Sequence, residues 1–202
     1  PHPGIALPCD MFGKERKNSR GLDFSNELSL QALAHAFAQV PNIHAKPLCA
    51  GEVGNNAPLE VRNPAKSDDI VGSVQEAIVA DLELALQQAQ AFAPTWSTTA
   101  PAERAQYLKT AADLLEQDSP VFMALAIREA GKSLNNALAE VREAVDFLRY
   151  YAAQIENQSA IQALGAVVCI SPWNFPLAIF LGEVAAALAA GNVVLAKPAE
   201  QT

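Results

Sequence analysis

Between Ala77 and about Gln158 the apolar residues recur every three to four positions, which predicts four amphipathic helices separated by "APTWSTTAP", "DSP" and "GKS". In "APAERAQYLKTAADLLEQD" Ala105, Leu108, Ala112 and Leu115 share one face. Pro101 suits the first turn of that helix, where its missing N–H costs nothing. From Leu134 onward the apolar stripe is Leu138, Val141, Val145, Leu148 and Ala152, with the charges mostly off it. Upstream, "SNELSLQALAHAFAQV" predicts a shorter helix that Ser25 or Asn26 can cap, with Leu30, Leu33, Ala34 and Phe37 apolar and Pro41 closing it. "KPLCAGEV" and "LEVRNPAKSDDIVGSV" predict short strands, with "NPAKSDD" supplying the turn of a hairpin.

The period changes near the C-terminus. "GAVVCI" is a continuous apolar, β-branched run, expected of a strand covered on both faces. "PLAIFLGEVAAALAAG" predicts an Ala-rich helix stopped at Gly191-Asn192, and "VVLAK" a second buried strand ended by Pro198. Strand, helix and strand in so short a span form a βαβ unit, whose right-handed crossover makes the strands parallel. The fold class is therefore α/β, a Rossmann-type parallel sheet with flanking helices. Both strand exits, "SPWNF" and "KPAEQ", then lie at the carboxyl edge of the sheet, where ligands of open α/β proteins bind, and share one crevice.

The composition narrows the function classes. The chain has 202 residues, half of them apolar, enough for one large domain or one and a fraction. A formal net charge of -8 and a pI of about 4.8 argue against nucleic acid or an anionic membrane surface as partner. Lys14, Arg16, Lys17 and Arg20 are expected to form a solvated loop. No apolar run reaches the roughly 20 residues that span a bilayer, and "PHPGIALPCD" lacks a signal-peptide pattern, so a cytoplasmic location is expected. Cys9, Cys49 and Cys169 are odd in number and widely spaced, and the three histidines show no ligand spacing. Neither disulfides nor a metal site is expected.

The candidate chemistry sits at the two strand exits. No GxGxxG follows the first strand, so a nucleotide bound here is held by other means. Lys197 has three donors and Glu200 is acceptor-only, a pair that can satisfy a ribose diol or simply close a strand end. The Asn174 amide can stabilise an oxyanion, or cap the helix that follows.

"ISPWNFPLAIFLGEVAAALAAGNVVLAKPAEQT" resembles the aldehyde dehydrogenase superfamily in its PWNFP segment, its helix end and its KPAEQT strand exit. "ERAQYLKTAADLLE", "EAGKS" and "EVREAVDFLRYYAAQ" resemble the helices that precede them in that family. A narrower resemblance over nearly the whole chain, carried by "LPCDMFGKERKNSRGLDFSNELSLQAL", "VRNPAKSDDIVGSVQEA" and "EVREAVDFLRYYAAQI", is to the bifunctional proline utilization flavoproteins. In those a proline dehydrogenase domain, which carries FAD, precedes an L-glutamate γ-semialdehyde (1-pyrroline-5-carboxylate) dehydrogenase. On that resemblance residues 1–45 are an arm or linker following the flavin domain, and 46–202 the N-terminal part of the NAD-binding domain.

The resemblance implies NAD-dependent oxidation of the semialdehyde to L-glutamate in proline catabolism. A cysteine thiolate adds to the aldehyde, a hydride leaves to nicotinamide and water hydrolyses the thioester. Asn174 would be the oxyanion donor, Lys197 and Glu200 would hold the adenosine ribose, and Ile170, Ser171, Pro172 and Trp173 would line the cofactor crevice. Phe175 falls where the family lines its aldehyde tunnel, and Glu143 lies on the helix approaching that tunnel or faces solvent as an ordinary helix charge. The family's nucleophilic cysteine and general-base glutamate follow the KPAEQT strand, beyond Thr202, and none of the three cysteines occupies that loop. The chain is thus expected to hold one edge of a site, to lack activity by itself, and to expose a sheet edge prone to association. The resemblance further implies a homo-oligomeric intact protein. The competing expectations are an aldehyde dehydrogenase of another substrate class and a non-catalytic binding or assembly module.

Overall fold

The computed structural model describes residues 2–51, 54–158 and 162–202. The order of elements is α1 (Glu27–Ala38), β1 (Ile43–Ala45), β2 (Leu59–Asn63), β3 (Lys66–Val74), α2 (Val79–Thr98), α3 (Pro101–Gln117), α4 (Ser119–Ala130), α5 (Leu134–Glu156), β4 (Ala166–Ile170), α6 (Ala178–Ala189) and β5 (Val193–Lys197). The strands form a mixed sheet in the order β1-β3-β2 and a parallel pair β4-β5.

The helical periodicity translates directly into the core. Ala105, Leu108, Ala112 and Leu115 of α3 are buried, as are Val141, Val145, Leu148 and Ala152 of α5. α5 packs against α3, α4 and α6, so it forms the axis of the cluster. In α1 Asn26 is the cap, its Oδ1 accepting from the amides of Leu28 and Ser29 at 3.0 and 3.3 Å. Only Leu33 of that helix is fully buried; Ala34 faces solvent.

Four elements depart from the expectations. The separator "APTWSTTAP" is mostly helix: α2 continues through Pro94 to Thr98. Its last turns are anchored from outside, since the Trp96 indole N–H donates to the Leu188 carbonyl at 3.1 Å and its ring packs 5.9 Å from that of Tyr107. This tertiary hold outweighs the helix bond that proline removes. Secondly, residues 46–51 of "KPLCAGEV" are not a strand, and Glu52 and Val53 lie outside the described residues. The strand is the preceding Ile43–Ala45, parallel to Gly72–Val74, whereas Pro47 has no N–H to donate to a ladder. Thirdly, the hairpin turn is only Pro64-Ala65, and the Ser-Asp-Asp run belongs to β3. Fourthly, among the described residues β4 is covered on one face only, with Cys169 buried and Val168 and Ile170 exposed.

The basic cluster near the N-terminus is also less solvated than its composition suggests. Arg16 pairs with Asp146 of α5, and Arg20 pairs with Glu116 of α3. The Ser19 amide and hydroxyl, each at 2.8 Å from an Asp146 oxygen, strap this arm across α5. Among the described residues no helix is long and apolar enough to cross a membrane.

Candidate functional site

Parallel pairing of β4 with β5 aligns Ile170 opposite Lys197, so the two strand exits emerge side by side. The Ser171 amide continues the ladder to the Lys197 carbonyl at 3.3 Å. Ser171 is buried, and its hydroxyl has no hydrogen-bond partner among the described residues. Pro172 is half-buried, while Trp173 projects outward with its carbonyl accepting from the Thr202 hydroxyl at 2.9 Å. The second exit therefore folds back onto the first. Trp173, Gln201 and Thr202 line a cavity of about 310 Å³ with Pro64, Glu129 and Ala130.

Lys197 Nζ donates to Glu200 Oε1 at 2.5 Å, both side chains well exposed at the mouth of β5. The Lys197 ammonium holds the Glu200 carboxyl below its ordinary value, with a backbone hydrogen bond adding to the effect. Glu200 is thereby kept as an anionic acceptor, and the Lys197 amino group has further N–H donors to offer.

Asn174 and Phe175 lie in the turn between β4 and α6, both on the surface. Asn174 does not cap the helix: the N-cap position is Leu177, which supplies no side-chain bond. The orphan amides are taken instead by Glu140 of α5, whose Oε2 accepts from Leu177 and Ala178 at 3.2 and 3.0 Å. Its Oε1 accepts from Lys132 Nζ at 2.9 Å, and the same Nζ reaches the Asn174 carbonyl at 2.8 Å. The Lys132 ammonium also sits 4.8 Å from the Phe175 ring centroid. Gly131, with φ +65°, ends α4 in the left-handed conformation that turns the chain into Lys132 and on to α5.

At the opposite end of α6, buried Arg104 of α3 donates from Nε to the Ala189 carbonyl at 3.0 Å and from Nη1 to the Thr99 carbonyl. Burial pulls the Arg104 guanidinium below its ordinary pKa. A carboxylate at the N-terminus and a guanidinium at the C-terminus both complement the helix dipole.

Glu143 stands elsewhere. It is exposed on α5 and lines an open cavity of about 370 Å³ with Arg16, Asp146, Phe147 and Tyr150, separate from the one that Trp173 lines. The cysteines are free, and the Cys169 thiol is pushed above its ordinary pKa by burial and then by the Glu183 carboxylate, the reverse of what a thiolate nucleophile needs.

Glu140 and Lys132 hold the turn that carries Asn174, and neither stands out in the sequence. Lys132 was visible only as part of a helix separator. Glu140 does leave a signal, because it shares a helix face with Ala137 and Ala144, three and four positions away, where a charge demands a partner. The partners are remote in sequence, which spacing cannot reveal.

A model described as the Aldehyde dehydrogenase family matches residues 52–202. The bifunctional protein PutA of Salmonella typhimurium is 52% identical over 207 residues, covering 100% of this chain and 16% of its own length. The 1-pyrroline-5-carboxylate dehydrogenase of Bacillus pumilus is 35% identical over 203 residues, covering 89% of this chain and 39% of its own. The solved structure of 1-pyrroline-5-carboxylate dehydrogenase from Thermus with bound NAD superposes with a TM-score of 0.83 at 31% identity, over 92% of this chain and 40% of that one. The chain thus spans well under half the length of these relatives. It has the α/β fold of the part of the Thermus structure that it matches, and it belongs to the aldehyde dehydrogenase family.

Proposed function

We propose that this chain supplies one wall of an NAD-dependent dehydrogenase site that oxidises L-glutamate γ-semialdehyde, the open form of 1-pyrroline-5-carboxylate, to L-glutamate. The observation that carries the reading is the register of Ile170 opposite Lys197, which sets the Asn174 turn beside the Lys197–Glu200 pair at one sheet edge.

The donor set fits a dinucleotide. Lys197 offers N–H donors and Glu200 a carboxylate kept anionic, the complement of a ribose diol, and the Ser171 hydroxyl at the same edge has no partner among the described residues. Ile170 and Trp173 add apolar surface, and Pro172 adds the rigid step at which β4 ends. When bound, NAD would supply the hydride acceptor. The Asn174 amide would donate to the aldehyde oxygen as that oxygen gains negative charge, which lowers the barrier because the interaction strengthens only after attack. Phe175 would line the substrate approach. Glu143 lines a separate cavity with Arg16, Asp146, Phe147 and Tyr150 and takes no part in this reading.

The attacking thiolate belongs to no cysteine of this chain, so we infer that the chain alone forms no NADH from pyrroline-5-carboxylate. Measurable formation would overturn that inference. The same reading assigns the assembled enzyme to the cytosol as a homo-oligomer. The test of the site is Asn174→Ala in the full-length enzyme. Losing one oxyanion donor is expected to lower kcat on the order of 100-fold, and a variant within about threefold of the parent would refute the assignment.

A further inference from the structure

Glu140 is only 2% exposed, yet it carries a carboxylate into the junction of α5 and α6. Its oxygens divide the work: Oε2 takes the two orphan amides of Leu177 and Ala178, and Oε1 takes Lys132. The Lys132 ammonium then reaches the Asn174 carbonyl and lies near the Phe175 ring. Residues 174, 175, 177 and 178 are all tied to one buried ion pair, while no side chain of the turn itself caps α6.

A buried ion pair is a weak source of net stability, because its desolvation offsets most of its attraction. What such a pair does supply is geometry. A donor aimed at a developing oxyanion must be held to within about 0.5 Å of its productive position by groups that are themselves fixed. The Asn174 side chain is exposed, so its aim depends on the backbone that Lys132 holds.

We propose that Glu140 and Lys132 are positioning residues for the Asn174 amide: the pair locks the 174–178 turn and so sets the direction in which the amide points. The proposal rests on the oxyanion reading of Asn174.

The test is a double-mutant cycle in the full-length enzyme, with Lys132→Met, Asn174→Ala and the double variant assayed by NADH formation. Lys132→Met is expected to lower kcat about tenfold in the parent, within the roughly 2- to 150-fold coupling seen for residues of one network. The KM for NAD should stay within about twofold, and the same substitution should cost less than about twofold once Asn174 is already alanine. An equal loss in both backgrounds would overturn the proposal, since Lys132 would then act independently of the amide. A full-strength Asn174→Ala enzyme would instead refute the oxyanion reading and remove the object of the positioning; the two failures are told apart by the Asn174→Ala rate alone. If Lys132→Met fails to fold, Glu140→Gln replaces it in the cycle, because its carbonyl can still cap Leu177 and Ala178 while the attraction for Lys132 is lost.

Discussion

Arg104→Met tests whether the C-terminal end of α6 is held by a charge. The guanidinium is 2% exposed, donates to the Ala189 and Thr99 carbonyls, and lies against Gly191, where an added Cβ would stand 3.4 Å from its central carbon. Hydrogen bonds from a charged donor are worth about 1.5–3 kcal/mol each, but the same substitution also relieves the several kcal/mol that burying the charge costs. Methionine fills most of the apolar volume, so the loss reduces to the stranded carbonyls. That of Ala189 is fully buried and costs about 1–3 kcal/mol, and the partly wet one of Thr99 costs less, giving about 2–3 kcal/mol in all. In a domain of this size each kcal/mol moves the midpoint by about 2–4 °C, so thermal unfolding followed by circular dichroism should show a drop of about 4–12 °C. Urea titration gives the free energy independently. A variant within about 0.5 kcal/mol of the parent would show that desolvation cancels the bonds and that Arg104 does not hold α6.

Leu148→Ala, at a 4% exposed position on the axis of the core, should cost about 2–5 kcal/mol in a urea titration, and a loss below about 1 kcal/mol would mean that α5 is not central to the packing. Arg128 and Asn63 hold the Asp69 carboxyl at about 2, down from 3.8, so the stability that this link between α4 and β3 contributes is present above 3.8 and disappears as pH falls through about 2. Asp69→Asn should therefore flatten the acid limb of the stability profile; identical slopes would refute the link. Glu129 behaves in the opposite sense, because burial raises its carboxyl above 4.5: its contribution is fully present below 4.5 and is lost as pH rises through the raised value. Glu129→Gln should remove that loss and stabilise the protein at pH 8, and an unchanged midpoint there would contradict it.

The parts of this fold written in local pattern were readable. Ala105, Leu108, Ala112 and Leu115 recur at the helical period and are buried together, and the β-branched run at 166–170 pairs in parallel with 193–197 as a short βαβ connection requires. Where tertiary contact overrode local preference the reading failed. Pro94 marks a helix end by its chemistry, yet the Trp96 bond to Leu188 keeps the helix going. "KPLCAGEV" has strand composition but the ladder partner of β3 is Ile43–Ala45. At the strand exits, Asn174, Lys197 and Glu200 are marked by local sequence alone, whereas Glu140 and Lys132 are tied to the turn through partners 37 to 42 residues away.

That division follows from what α6 must do. In a βαβ unit the helix fixes how one strand exit lies relative to the other, so any slide of α6 would separate the 170–175 turn from Lys197 and Glu200. The fully buried positions of α6 are all small, Ala178, Gly182, Ala185 and Ala189, and interlock little against sliding, and α6 adds no capping side chain of its own. Its two ends are instead pinned by buried charges of opposite sign from different helices, Glu140 of α5 below the N-terminal amides and Arg104 of α3 at the last carbonyls. Each charge sits where the helix dipole favours it, and each is bound to backbone, which a side-chain substitution on α6 itself cannot remove. Pinning at both ends explains how a helix whose buried face is made of small residues can hold the turn ahead of it. It also separates the two perturbations: Arg104→Met should register as stability alone, whereas Lys132→Met strands the Glu140 carboxylate and is told apart by a loss of rate that depends on Asn174.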